Sequence, residues 1–157
     1  MGIRKILWLE DQFEDFGAYL SALFRAGYVV DSVKSVSEAV EKLREGDYTA
    51  VIFDIKVLPG NSREWIELDK KKREENPHYD SSLGLELLYS LFAHEKANVK
   101  LDPPIKISPE KFIVFSVVYD KNEEFQSFGI PGDQIINKSA ADLSTLPNTV
   151  KKIEDGC

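Results

Sequence analysis

A single cysteine, Cys157, gives the chain no internal disulfide and no thiolate metal cluster, in keeping with a reducing, cytoplasmic setting. The two histidines, His78 and His94, share no ligand spacing with each other or with the cysteine, which argues against zinc. Long apolar runs are also missing. None approaches the roughly 18 residues a membrane-crossing helix needs, and MGIRKILWLED reaches an acidic pair after only a short apolar stretch, with no small-residue cleavage site beyond it. Neither a membrane span nor a signal peptide is expected. Positive charge is in deficit: 20 Lys and Arg against 27 Asp and Glu leave a net charge of -7, the wrong sign for a surface that grips a nucleic-acid backbone. The run DKKKREE, residues 69–75, mixes both signs as a solvated segment does. Protein or small-molecule partners remain.

What the chain does contain is a regular alternation. With 43% hydrophobic and 30% charged residues over 157 positions, it reads as one globular domain, 1–157. IRKILWL, YVVDSV, YTAVIFD, KFIVFSVV and QIIN read as five strands. Between them, Phe13, Phe16, Tyr19 or Leu20 and Leu23 mark an amphipathic helix stopped near Gly27. Ser37, Val40 and Leu43 mark a second, Leu83 to Glu95 a third, Asn122 to Phe128 a short one, and Leu143 to Ile153 the last. The strands are continuously apolar, as in a parallel sheet covered by helices on both faces, so the class is α/β. Two stretches interrupt the rhythm, 58–82 and 96–110, and are expected to be irregular insertions. Trp65 and Ile66 in the first must fold back onto the domain or meet a partner, and residues 61–82 are placed to cover whatever lies beside Asp54 as a lid.

Ligands of an open parallel sheet sit beyond the carboxyl ends of its strands, and polar residues gather at those ends here. Glu10 and Asp11 follow the first strand, Asp54 the third, Ser116 ends the fourth and Lys138 the fifth. Three neighbouring carboxylates repel unless a cation joins them, and an oxygen-only set suits magnesium, with manganese a substitute. Asp54, ionised at neutral pH, is then a candidate nucleophile for an aspartyl phosphate. Lys138 and Ser116 would neutralise the phosphoryl oxygens. Each residue also has a plainer reading: Asp54 as a turn former, Ser116 as a small polar filler, Lys138 as an exposed strand-end charge. Asp11 in the same spirit caps the following helix, with Glu14 three residues on as in a capping box.

KILWLED, VIFD, FSV and IINK, in that order, resemble the active-site blocks of the receiver domain of two-component response regulators. The resemblance implies a flavodoxin-like, doubly wound five-stranded parallel sheet of order 2-1-3-4-5. It makes Asp54 the phosphoacceptor, Glu10 and Asp11 the acidic magnesium pair, and the main-chain carbonyl of Lys56 a further metal ligand. Ser116 becomes the hydroxyl that contacts the phosphoryl group, and Lys138 the lysine paired with it. It further implies a sensor histidine kinase or phosphotransfer protein as donor and signalling through a downstream protein, rather than enzymatic turnover. With no room after the last helix for an output domain, a stand-alone regulator is expected. The sequence departs from the family in several places. Asp54 and Ser116 are 62 residues apart, about twice the usual separation, and Pro59 stands one place late. Ser139 replaces a proline, which is expected to loosen the loop holding Lys138. Val117 replaces a smaller alanine, and Ile135 replaces the switching aromatic. The rivals are a receiver-like binding module independent of phosphorylation and a small magnesium-dependent phosphatase.

Overall fold

The computed structural model describes residues 4–117 and 122–156. Ile3, Val118 and Cys157, which the sequence reading places in the first strand, in the fourth strand and at an exposed thiol, lie outside them. Five strands form one parallel sheet: β1 (Lys5–Leu9), β2 (Val29–Val33), β3 (Ala50–Phe53), β4 (Phe112–Ser116) and β5 (Ile135–Asn137). They stand in the order β2-β1-β3-β4-β5. The expected α/β class and strand order are both present.

Side chains alternate across each central strand, which divides the core into two layers. Leu7, Leu9, Val51, Phe53, Phe112 and Val114 face one side, where α2 (Val36–Glu45), α3 (Arg63–Glu75), α4 (Leu83–Leu91) and α5 (Asn122–Ser127) pack. Ile6, Trp8, Ala50, Ile52, Ile113 and Phe115 face the other, under α1 (Gly17–Arg25) and α6 (Thr145–Asp155). The capping details follow local chemistry. Ser35 accepts from the Glu38 N–H (3.3 Å), the N-cap bond that starts α2, and its hydroxyl donates to the Glu38 carboxylate (3.0 Å). Pro147 falls in the first turn of α6, where its missing N–H removes no helix bond.

Three elements differ from expectation. The first helix begins as a 3-10 turn, Phe13–Phe16, before α1 proper. The third expected helix stops at Leu91 rather than Glu95. Ala93 turns left-handed at φ 49°, and the His94 N–H closes back on the Tyr89 carbonyl at 2.9 Å. The stretch 58–82, expected to be irregular, contains α3, a regular helix of 13 residues. Its charges are arranged as i,i+4 pairs, Arg63–Glu67, Asp69–Arg73 and Lys71–Glu75, while Trp65 and Leu68 bury themselves in the core. Residues 96–108 carry no helix or strand.

An ion-pair cluster joins α6 to the start of β1. Arg4 makes two bonds to the Glu154 carboxylate (2.8 and 2.9 Å), Tyr28 donates to the same group, and the guanidinium lies 4.2 Å from the Tyr28 ring centre. The Arg4 bonds, against the smaller opposing effect of burial, hold the Glu154 carboxyl below its usual range. A group with a depressed folded-state pKa stabilises above its unfolded pKa, and that contribution disappears as pH falls through the folded value. Arg4→Ala is therefore expected to lower the melting midpoint at neutral pH, with a smaller deficit at an acid pH below the folded-state value of Glu154. Equal deficits at both pH values would refute the assignment. Among the described residues no helix is long and apolar enough to cross a membrane.

Candidate functional site

Sheet register builds the site. Leu9 pairs with Phe53, so Glu10 and Asp54 are the next residues on adjacent strands; Ser116 pairs with Asn137, so Lys138 follows directly. The backbone holds the first pair in place through Glu10 N–H to the Val33 carbonyl (2.9 Å) and Asp54 N–H to the Leu9 carbonyl (3.0 Å). Glu10 is fully buried, Asp54 nearly so, and Asp11 partly exposed. One carboxylate oxygen from each of the three lies within 4.8 Å of the others.

The Lys138 ammonium completes the cluster. It bonds to Glu10 Oε1 and, at 3.0 Å, to Asp54 Oδ2, while Asp54 Oδ1 accepts the Ile55 N–H at 2.7 Å. Its other side faces aromatic rings, with Phe16 at 4.7 Å and Phe115 at 5.8 Å from the ring centres. Burial works against the charge of Lys138, yet its bonds to the two carboxylates prevail and raise its pKa. Burial, followed by the nearby charge of Asp54, pushes Glu10 up to about 7 despite Lys138. A buried carboxylate that ionises only with difficulty beside two others is where a cation relieves the strain. An all-oxygen donor set suits a hard one, so Glu10, Asp11 and Asp54 could coordinate a divalent metal ion.

An open cleft of about 400 Å³ leads to these groups, lined among others by Asp11, Phe16, Asp54, Lys56, Val117 and Lys138. Ser116 is buried at the end of β4, whereas Lys56 and Val117 are exposed at the rim. A hollow of similar size between α3 and residues 98–100 brings Glu64, Glu67, Lys71 and Lys100 together, but no trio of carboxylates there meets as the strand-end trio does among the described residues.

Several plainer expectations are corrected. Asp11 does not cap the next helix: the Gln12 N–H turns to Glu10 Oε2 (3.3 Å), Glu14 pairs with Lys34, and no side-chain cap bond forms at the turn. Lys138 is not a solvated strand-end charge. Ser139, expected to loosen the loop, uses its N–H to donate to Asn137 Oδ1 at 2.8 Å, a bond a proline could not make. The lid is absent as well, since no residue of 61–82 lines the cleft; Trp65 and Leu68 draw α3 onto the α2–α5 side of the sheet. Two contributors escaped the sequence reading. Phe16 looked like ordinary apolar-face material, and Gly84 carried a signal only as a glycine opening a helix. A Cβ at Gly84 would lie 2.3 Å from the Asp54 carbonyl oxygen.

No family model matches the sequence, and no curated protein matches it. Solved structures do match. A CheY-like response regulator receiver domain protein from Methanospirillum hungatei JF-1 is 18% identical, with a TM-score of 0.59 over 99% of this chain and 96% of that one. The Francisella response regulator 1452 receiver domain is 14% identical, with a TM-score of 0.61 over 98% of each chain. A sensor protein from Polaromonas sp. JS666 is 19% identical, with a TM-score of 0.59 over 98% and 97%. The strand order, the two helical layers and these matches over nearly the whole chain identify the fold as that of a CheY-like receiver domain, enlarged by a helical insertion between β3 and β4.

Proposed function

We propose that residues 1–157 act as one receiver unit that accepts a phosphoryl group on Asp54 from a phosphohistidine donor, a sensor histidine kinase or phosphotransfer protein, and signals by binding a downstream protein. The observation that carries this reading is the joint placement of Asp54, Glu10, Asp11 and Lys138 at one cleft. A carboxylate oxygen of Asp54 forms the new P–O bond, while the bond between phosphorus and the donor imidazole nitrogen breaks and its electron pair leaves with the imidazole. Ile55 N–H and Lys138 Nζ hold the two Asp54 oxygens in place beforehand. Lys138 then turns from Asp54 towards the incoming phosphoryl oxygens, with the Ser116 hydroxyl as a second donor. Magnesium, or manganese in its place, would be held by Glu10, Asp11, Asp54 and the Lys56 carbonyl and would neutralise phosphoryl charge. In this reading the chain is a phosphoacceptor rather than a turnover enzyme, and works in the cytoplasm without contacting nucleic acid.

One observation favours a second reading, a binding module indifferent to phosphorylation. Ile135 packs against the α2–α5 core where a receiver's swinging aromatic would stand, so phosphoryl charge needs another route to the surface. Acetyl phosphate with Mg²⁺ separates the two. Intact mass is expected to show an adduct of roughly 80 Da on the wild type and none on Asp54→Asn. An unlabelled wild type, under conditions that label an ordinary receiver, would overturn the phosphoacceptor reading.

A further inference from the structure

We propose that Arg73 of α3 is a positioning residue for the loop that follows Asp54, acting through Ser81 and Val57 on the Lys56 peptide. The inference rests on the phosphoacceptor reading and assigns the inserted helix a part in it, as a brace rather than a lid.

Residues 54–60 form no helix or strand, yet both flanks of the loop are bonded. Towards α2, the Val36 N–H donates to the Leu58 carbonyl (2.9 Å) and the Ser37 N–H to that of Pro59 (3.1 Å). The Ser62 N–H donates to Ser37 Oγ (3.0 Å). Towards α4, the Val57 N–H donates to the Ser81 carbonyl (3.3 Å), and the Gly84 N–H to the Ile55 carbonyl (2.9 Å). Lys56 lies between two residues, Ile55 and Val57, that are both held by segment 81–84. The direction of its peptide therefore depends on where that segment sits.

Ser81 is an unusual support. Its φ is 61°, a left-handed conformation that costs a serine what it would not cost glycine, so the turn needs contacts from outside. Arg73 supplies them. Its Nη2 donates to Ser81 Oγ at 2.7 Å, its Nε to Asp69 Oδ2 at 3.0 Å, and its guanidinium lies 5.9 Å from the Tyr79 ring centre. The helix behind it is anchored by Trp65 and Leu68 in the core. Lys72 reaches the buried Glu86 of α4 at 3.3 Å, and Glu86 also accepts from Asn98 at 2.8 Å. A rigid fork from an anchored helix thus fixes a strained turn, and that turn holds the amide next to Lys56.

Arg73 does not line the cleft, so its effect must travel through the backbone. The test uses the full chain as wild type, Arg73→Ala, Ser81→Ala and Arg63→Ala. The last is a control that removes the same kind of i,i+4 pair from the same helix without touching Ser81. The readouts are amide exchange at Val57, Mg²⁺ affinity by calorimetry, and the rate of labelling by acetyl phosphate. Arg73→Ala and Ser81→Ala are expected to speed Val57 exchange and to weaken Mg²⁺ binding about tenfold, as loss of a residue supporting a metal ligand typically does, while Arg63→Ala stays at wild type. Ser81→Ala removes the hydroxyl alone, leaves the cost of the left-handed conformation in place, and keeps the comparison intact should Arg73→Ala fail to fold. Mg²⁺ affinity equal to the Arg63→Ala control in both variants would overturn the proposal. A wild type that binds Mg²⁺ but never labels would overturn the phosphoacceptor reading alone, and the Mg²⁺ comparison would still decide the brace.

Discussion

Lys138→Met is expected to destabilise the metal-free protein by about 3–5 kcal/mol, the cost of removing one partner from a buried ion cluster. The ammonium bridges Glu10 and Asp54, whose side chains are 1% and 8% exposed, so its removal leaves two largely buried carboxylates without their counter-charge. Methionine keeps the length of the stem beside Phe16 and Phe115, which confines the change to charge. Proton uptake by Glu10, already pushed up to about 7 by burial, limits the loss without restoring the contacts. Chemical denaturation with a chelator present measures the deficit. Added Mg²⁺ is expected to recover more stability in the variant than in the wild type, because a cation in the acidic cluster replaces the missing positive charge. A deficit under 1 kcal/mol would show that Glu10 and Asp54 do not depend on Lys138 in the folded protein.

The residues of that cluster were legible because each interrupts an otherwise apolar segment. Asp54 after AVIF and Lys138 after IIN have no packing reason to be there, and the parallel sheet brings such residues together by register. The inserted helix was hidden for the opposite reason. Of its 13 residues only Trp65, Ile66 and Leu68 are apolar, too few to stand out among charges that read equally well as a solvated loop. The i,i+3 pair Trp65 and Leu68 was the available signal, together with acid–base spacing of four. Side-chain exchanges were the least readable level. That Asn137 would accept from Ser139, and that the Gln12 amide would choose Glu10, depends on rotamers set by tertiary neighbours rather than on spacing.

Gly84→Ala is expected to cost about 3 kcal/mol through overlap, reduced by about 1 kcal/mol of improved helix propensity, for a net loss of about 2 kcal/mol. The added Cβ would lie 2.3 Å from the Asp54 carbonyl oxygen, 2.8 Å from Ile55 Cα and 2.9 Å from the Ile55 carbonyl oxygen. All three are backbone atoms, so no flexible side chain can give way; either α4 withdraws or the end of β3 shifts. Withdrawal would stretch the Gly84 N–H to Ile55 bond of 2.9 Å and pull Leu83 and Leu87 out of a filled core layer. A shift of β3 would instead move the Ile55 N–H that holds Asp54 Oδ1 at 2.7 Å. Both routes disturb Asp54, so on the proposed function labelling by acetyl phosphate should slow along with the fall in stability. Gly17→Ala supplies the comparison, because a Cβ there meets nothing within 4 Å at the start of α1. It should leave both quantities unchanged or raise the melting midpoint slightly. Equal behaviour of the two alanine variants would mean that α4 slides freely over the end of β3 and that the close approach at Gly84 does not position Asp54.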